Sequence, residues 1–220
     1  MISVADLVAE NRLPGNYFAS DVYVRGTLEF GLLENRRGNR LLALPETLIK
    51  GIYAGLEQET GQASKLVLLN CGRWWGKNFY ARFCDELSDF YKRPLADLTM
   101  AEFLQALQQC WHTHGWGGIN LDPAYQSKGF LGIQIFSSPY AQYAPPSQQP
   151  VCYLEAGILQ AFFGQLTGRE LSCVQLTCEA LGADYNYFVL GLEHRLKPAA
   201  AMVAAGKSYT EVMAALSQQS

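Results

Sequence analysis

The chain has 220 residues, 49% of them hydrophobic and 17% charged, with a net charge of −3. That length can build an ordinary core, the composition is too apolar for a disordered segment, and the small acidic excess excludes a general attraction to nucleic acid. No apolar run reaches the roughly 18–20 residues of a membrane span. Residues 1–12 carry Asp6 and Glu10 in place of the basic start of a secretory leader, so a soluble, intracellular protein is expected.

The elements follow in chain order. Residues 3–10 read as a short helix. Strands over 27–33 and 40–43 flank the polar turn Asn35-Arg36-Arg37-Gly38-Asn39, a hairpin signal. Pro45 stands where a helix would begin, with Leu48, Ile52 and Leu56 at helical spacing and Gly61 as its stop. A long helix follows, because Leu66, Leu69, Gly72, Gly76, Tyr80, Phe83, Leu87 and Phe90 recur every three or four residues, and Pro94 closes it. Gly72 and Gly76 each cost about 1 kcal/mol against Ala inside a helix. Small residues one turn apart let another helix, or a bound ligand, approach the axis. Thr99 caps a third helix with Glu102 three residues on, a capping box, and this helix ends near Gly115.

Residues 116–121 and 128–137 read as strands joined through Asp122 and Pro123. Residues 138–150 form an irregular loop rich in Pro, Gln, Ser and Tyr, long enough to suggest a functional role. A helix over 151–167 ends at Gly168. Strands over 171–179 and 185–193 turn at Gly182, Ala183 and Asp184. Two helical pieces, 199–204 and 209–216, follow Pro198. Hairpins broken by helices imply an α+β fold, an antiparallel sheet packed against several α-helices. The reading assigns 1–24 to an N-terminal extension, 25–195 to the domain and 196–220 to a helical tail.

Motifs for chemistry are scarce. Gly115-Trp116-Gly117-Gly118 has neither the spacing nor the context of a phosphate loop, and no Gly-x-Ser-x-Gly elbow occurs. His112 and His114 fall at a helix C-terminus, where imidazoles meet the last carbonyls, and His194 reads as exposed. Asp85, Glu86 and Asp89 read as a solvated helix face. Of Trp74 and Trp75, at least one is expected to be buried or at an interface. The six cysteines need not form disulfides in a chain this long and apolar. Cys71, Cys84 and Cys110 read as small buried hydrophobes. Cys173 is placed by strand alternation on the face opposite Cys178.

The segment Cys178-Glu-Ala-Leu-Gly182-Ala-Asp184-Tyr-Asn186-Tyr-Phe188, preceded by Cys152 and by Gln-Leu-Thr-Gly-Arg-Glu at 165–170, resembles the closing signature of the 4-vinyl reductase-like (V4R) domain family. The long helix with Gly72 and Gly76 also matches that family's layout. The resemblance implies a fold shared with vesicle-tethering subunits, homodimerisation, and a place among stand-alone cyanobacterial members. The family's zinc ligands, carried over by position, fall on Cys152, Gln175, Cys178 and Asn186. Two amides are poor substitutes for carboxylate and thiolate, so zinc is not expected, and Gln175 and Asn186 are free to bond each other.

The resulting expectation is a non-catalytic binding or carrier protein for a hydrophobic small molecule, with a tetrapyrrole of photosynthetic pigment or photosystem assembly as the ligand the resemblance suggests. Its cavity would lie near Gly72, Gly76, Trp111, Phe136 and Tyr153. The location implied is cytoplasmic, with association to a photosynthetic membrane left open. One alternative is an interaction or assembly factor acting through residues 138–150, with Tyr140 and Tyr143 at its surface. The other is a vinyl reductase, which lacks any nicotinamide or flavin motif here.

Overall fold

The computed structural model of the chain describes residues 15–218. The helix expected at 3–10 lies outside them. The chain divides into two compact units. The first holds the described residues up to Pro45 and Arg82–Trp116, and the second holds Glu46–Ala81 and the described residues from Gly117 onward.

In the first unit, a short helix α1 (Ser20–Tyr23) leads into β1 (Arg25–Thr27), β2 (Leu32–Glu34) and β3 (Arg40–Leu41), which form an antiparallel sheet in that order. The hairpin at 35–39 forms as expected. Asn35 shapes it, its side-chain oxygen accepting from the backbone N–H of Arg37 at 3.0 Å and of Asn39 at 2.9 Å. The strand expected over 27–33 is broken at Gly31, whose φ of +59° bends the chain back between β1 and β2.

Helix α3 (Ser64–Tyr91) contributes its last turns to this unit, and α4 (Met100–Thr113) completes it. Both halves of the predicted capping box, Thr99 and Glu102, are made. Glu86 corrects the expectation of a solvated acidic face. It is only 3% exposed and accepts from Asn35 Nδ2 at 2.9 Å, with Tyr23 and Arg82 beside it. Burial raises its pKa, and Arg82 and Arg37 oppose the shift. His114 Nδ1 meets the carbonyl oxygen of Cys110 at 2.8 Å, as a helix-ending imidazole should, and its ring stacks on Trp116 at 4.5 Å.

The second unit opens with α2 (Glu46–Thr60) and the first turns of α3. Its sheet comprises β4 (Gly118–Asp122), β5 (Leu131–Phe136), β6 (Leu171–Thr177) and β7 (Asn186–Leu192), all antiparallel, in the order β4-β5-β7-β6. Strand β7 is central and buried along almost its whole length, so both faces of the sheet are covered. Helix α5 (Pro139–Gln142) lies inside the segment expected to be irregular, started by Ser138, whose hydroxyl accepts from the backbone N–H groups of Tyr140 and Ala141. Helix α6 (Tyr153–Thr167) ends at Gly168 with φ of +64°.

After β7 come α7 (Glu193–Ala204) and α8 (Tyr209–Ser217). Helix α7 begins before Pro198, earlier than expected. Pro198 is exposed and lies inside the helix as its sixth residue, where it removes one intrahelical hydrogen bond. Leu196, Ala199, Val212, Met213 and Leu216 form one core cluster with Phe130, Leu176, Tyr187 and Val189 of the sheet region. Residues 196–217 therefore help to build the core.

Helices α3 and α6 cross at glycine. A Cβ added to Gly72 would collide with the carbonyl oxygen of Leu154. One on Gly76 would stand 2.6 Å from the carbonyl oxygen of Ile158, and one on Gly157 would strike that of Leu69. Of the two readings of this glycine pair, the approaching group is a helix. Backbone contact lets the flanking rings interlock, with Phe79 and Tyr80 at 5.1 and 5.4 Å from Phe162.

Candidate functional site

The start of α6 gathers most of the polar chemistry of the second unit. Cys152, Gln175, Cys178 and Asn186, far apart in sequence, converge there. Gln175 Nε2 donates to Asn186 Oδ1 at 3.1 Å, the amide pair anticipated above. Gln175 Oε1 accepts from the Cys152 backbone N–H at 2.9 Å, and Cys152 Sγ lies 3.7 Å from Asn186 Oδ1. Asn186 Nδ2 donates to Glu179 Oε2 at 2.6 Å, and that carboxylate also accepts the N–H groups of Ser137 and Ser138 at 2.7 and 3.0 Å.

The network can adopt this form because Asn186 opens β7 and Gln175 lies near the end of β6, beside the register shift between Gln175 and Thr177. Hydrogen bonding from the Cys152 thiol lowers the Cys178 thiol to about 6, against the opposing effect of burial. The donor set does not fit zinc. It offers two thiols and two amides, and the amide oxygens are already engaged. Among the described residues, no three His, Cys, Asp or Glu side chains are grouped to hold a metal.

Two clefts flank this region, and Tyr153 lines both. The first, about 240 Å³, is walled by Leu69, Tyr153, Ala156, Val174, Ala200 and Val203, with Cys152 and Gln175 of the network among its lining. The second, about 210 Å³, is walled by Tyr53, Leu68, Pro145, Val151 and Tyr153, with Glu57 and Lys65 also lining it. Lys65 Nζ stands 5.7 Å from the centre of the Tyr153 ring.

Of the five expected ligand residues, Tyr153 alone lines these two clefts. Gly72 and Gly76 are filled by α6. Trp111 is buried in the first unit, its ring 5.2 Å from Trp116. Phe136 ends β5 with its ring 5.5 Å from Tyr185. Three smaller expectations also change. Cys71 is exposed and Cys84 half-buried, because the faces of α3 they occupy are only partly covered. Trp74 is 72% exposed, leaving Trp75 as the partly buried member of that pair. Tyr140 and Tyr143 are not free surface groups, since Tyr140 is half-buried and the Tyr143 hydroxyl donates to Glu46.

Sequence reasoning missed Glu155. It is fully buried at the third position of α6, and among the described residues neither carboxyl oxygen meets a partner in full hydrogen-bond geometry, although the Ser138 hydroxyl and the Cys152 thiol lie close enough to favour its charged form. Burial pushes its pKa up to about 8. The nearby Ser138 hydroxyl and Cys152 thiol offset part of that shift, and the charges of Glu179 and Cys178 add to it. An acid at this position usually reaches back to the N–H of the capping residue, but that N–H, on Cys152, is taken by Gln175. Tyr53 was missed too. It is 6% exposed with an unpartnered hydroxyl, and burial raises its pKa, with the charges of Cys152, Glu155, Tyr140 and Cys178 acting in the same direction.

A four-stranded antiparallel sheet, covered on both faces and crossed by a helix that starts in a buried thiol–amide network, defines an α+β domain. Residues 131–192, which run from β5 through α6 to β7, match the family model described as V4R domain. The phenol-responsive sensory domain of the transcription activator PoxR, solved with phenol, shares the fold. It superposes with a TM-score of 0.59 at 14% identity, covering 91% of this chain and 96% of that one. A vinyl-4-reductase family protein from Methanocaldococcus jannaschii gives 0.45 at 17% identity, over 68% of this chain and 82% of that one. Trafficking protein particle complex subunit 3 from Naegleria fowleri, covalently bound to palmitic acid, gives 0.49 at 12% identity, over 67% and 94%. Comparison with curated protein sequences gives no match. No helix among the described residues is long and apolar enough to cross a membrane.

Proposed function

We propose that the chain is a binding module for a small, mainly apolar molecule, held in the clefts on either side of Tyr153. The observation that carries this reading is the mainly apolar first cleft beside a buried polar network, with a second cleft of mixed lining on the other side of Tyr153. The fold shared with a domain solved with phenol supports it. Size narrows the ligand. A cavity of about 150 Å³ holds benzene, and drug-sized ligands occupy about 300–1,000 Å³, so clefts of 240 and 210 Å³ suit one ring each. A tetrapyrrole would have to displace Tyr153 and join the two. Its role in pigment or photosystem assembly is therefore the less favoured form of the same reading.

Titration calorimetry with phenol and toluene tests the proposal. Ala200→Trp plugs the first cleft and Ser64→Trp the second, and one of them should abolish binding while the fold survives. Binding that persists through both plugs, or no binding by either probe at millimolar concentration, sinks it. Self-association, which the family resemblance implies, would draw on exposed apolar side chains such as Leu48 and Ile52, one turn apart on α2. Sedimentation of the wild type against Leu48→Asp reads that point. A monomer in both cases removes it.

A further inference from the structure

A third cleft in the second unit, about 910 Å³, shares no lining residue with the two beside Tyr153. It opens at the C-terminal end of α6, lined there by Gly164, Gln165 and Gly168. Its walls carry more charge than those of the other two. Arg73 and Lys77 come from α3, Arg169 and Glu170 from the turn after α6, and Glu193 from the start of α7. Among the described residues, none of these five side chains makes an ion pair. The cleft is also large enough for a whole small molecule, for which about 300–1,000 Å³ is usual.

The guanidinium of Arg73 is held in place. Its Nε donates to Gln160 Oε1 at 3.1 Å and its Nη1 to Asn70 Oδ1 at 3.5 Å, which leaves Nη2 unengaged among the described residues. Arg73 is half-buried, so salt screens its charge less than that of a fully exposed arginine. Lys77 follows one turn later on the same face of α3. A planar arginine fork with a lysine beside it matches the oxygens of a carboxylate or a phosphate. On another wall, Leu192 gives α7 no side-chain cap, so the first N–H groups of that helix supply further donors. The carbonyls that end α6 would repel an anion, but those of Gly164 and Gln165 already accept from the N–H groups of Gly168 and Arg169.

We propose that this cleft is a second ligand site, which holds a polar small molecule by one carboxylate or phosphate group on Arg73 and Lys77, with Arg169 and the start of α7 beside them. Glu170 and Glu193 set the limit on its charge. A nucleic-acid backbone, which repeats its phosphates along its length, would meet both carboxylates.

NMR titration of the isotope-labelled full chain with inorganic phosphate and with acetate, at pH 7 and fixed ionic strength, tests this. At least one anion should shift the backbone amide signals of Gly168, Arg169 and His194 saturably at millimolar concentration, and the tighter of the two names the anchored group. Arg73→Gln and Lys77→Gln should each weaken that binding by about fivefold or more. Lys50→Gln, a charge change on α2 outside the cleft, should leave it unchanged. Lys77 and Lys50 are exposed, so both of their variants should fold, and thermal unfolding checks all three. No saturation by either anion at tens of millimolar overturns the site. Binding that survives both cleft variants, or that Lys50→Gln weakens as much, is diffuse attraction and overturns it as well. Methylammonium that saturates more tightly than both anions assigns the cleft to a cation and refutes the proposal. None of these outcomes bears on the phenol and toluene titrations, so the two sites stand or fall separately.

Discussion

Replacing Glu155 with Gln should make the chain more stable, and increasingly so as the pH rises. In the unfolded chain the carboxyl titrates near its ordinary 4.5, and in the fold burial holds it at about 8. Below pH 4.5 both states keep the proton and the group is neutral in its effect. Between 4.5 and about 8 the unfolded chain releases the proton while the fold retains it, so the folded state loses stability with rising pH. Above about 8 both states are ionised and the cost stays constant. Each pH unit inside the window is worth ~1.4 kcal/mol for one group. Roughly 3–4 kcal/mol should therefore separate the advantage of Glu155→Gln at pH 8 from its advantage at pH 5. Cys178 acts in the opposite sense. Its thiol is held at about 6 in the fold against an ordinary 9, so it adds stability as pH rises from 6 to 9. The wild-type curve mixes the two effects, and only the difference between wild type and Glu155→Gln isolates the carboxyl. Urea denaturation at several pH values between 5 and 8 supplies that difference. A gap that stays within ~1 kcal/mol across the range would show that Glu155 is solvated or paired.

Four other outcomes follow from the same geometry. Gly72→Ala should destabilise the chain by ~2 kcal/mol or more, since its methyl collides with the α6 backbone. Gly51→Ala, with nothing within 4 Å, should stabilise by about 0.5–1 kcal/mol in the same denaturation assay. Asn186→Ala strips partners from Gln175, Glu179 and Cys152 at once and should cost ~2–4 kcal/mol; a loss under ~1 kcal/mol would mean that water replaces the amide. Cys152→Ala removes the hydrogen bond that holds Cys178 low, so the thiolate absorbance midpoint should move upward from about 6, and an unmoved midpoint would assign the shift to the surrounding backbone N–H groups.

The elements were legible wherever local chemistry decided them. Thr99 with Glu102, Gly168 and the Asn35–Asn39 turn each specify an end or a turn within a few residues of chain, and each forms as read. The break at Gly31 was hidden because apolar residues on both sides continue the strand pattern. The start of α7 was hidden because Pro198 suggests a boundary that burial of Leu196 and Ala199 overrides. Glu86 looked solvated because its sequence neighbours Asp85 and Asp89 are exposed. Its burial depends on Asn35, 51 positions away.

Glu155 shows why the candidate site was the least legible part. A glutamate in the first turn of a helix is favoured by the helix dipole and by capping, so at sequence level it has an ordinary explanation. That explanation fails only because Gln175, from a strand that follows the helix, takes the Cys152 N–H first. The presence of amides at positions 175 and 186 was readable as a poor fit to the zinc ligands that the family resemblance implies. Its consequence for a neighbouring carboxyl was not, because it arises from competition for one backbone donor in the folded chain. The same amides that complete the network also take the capping N–H away from Glu155, so the chemistry of this site depends on which side chain wins that one donor.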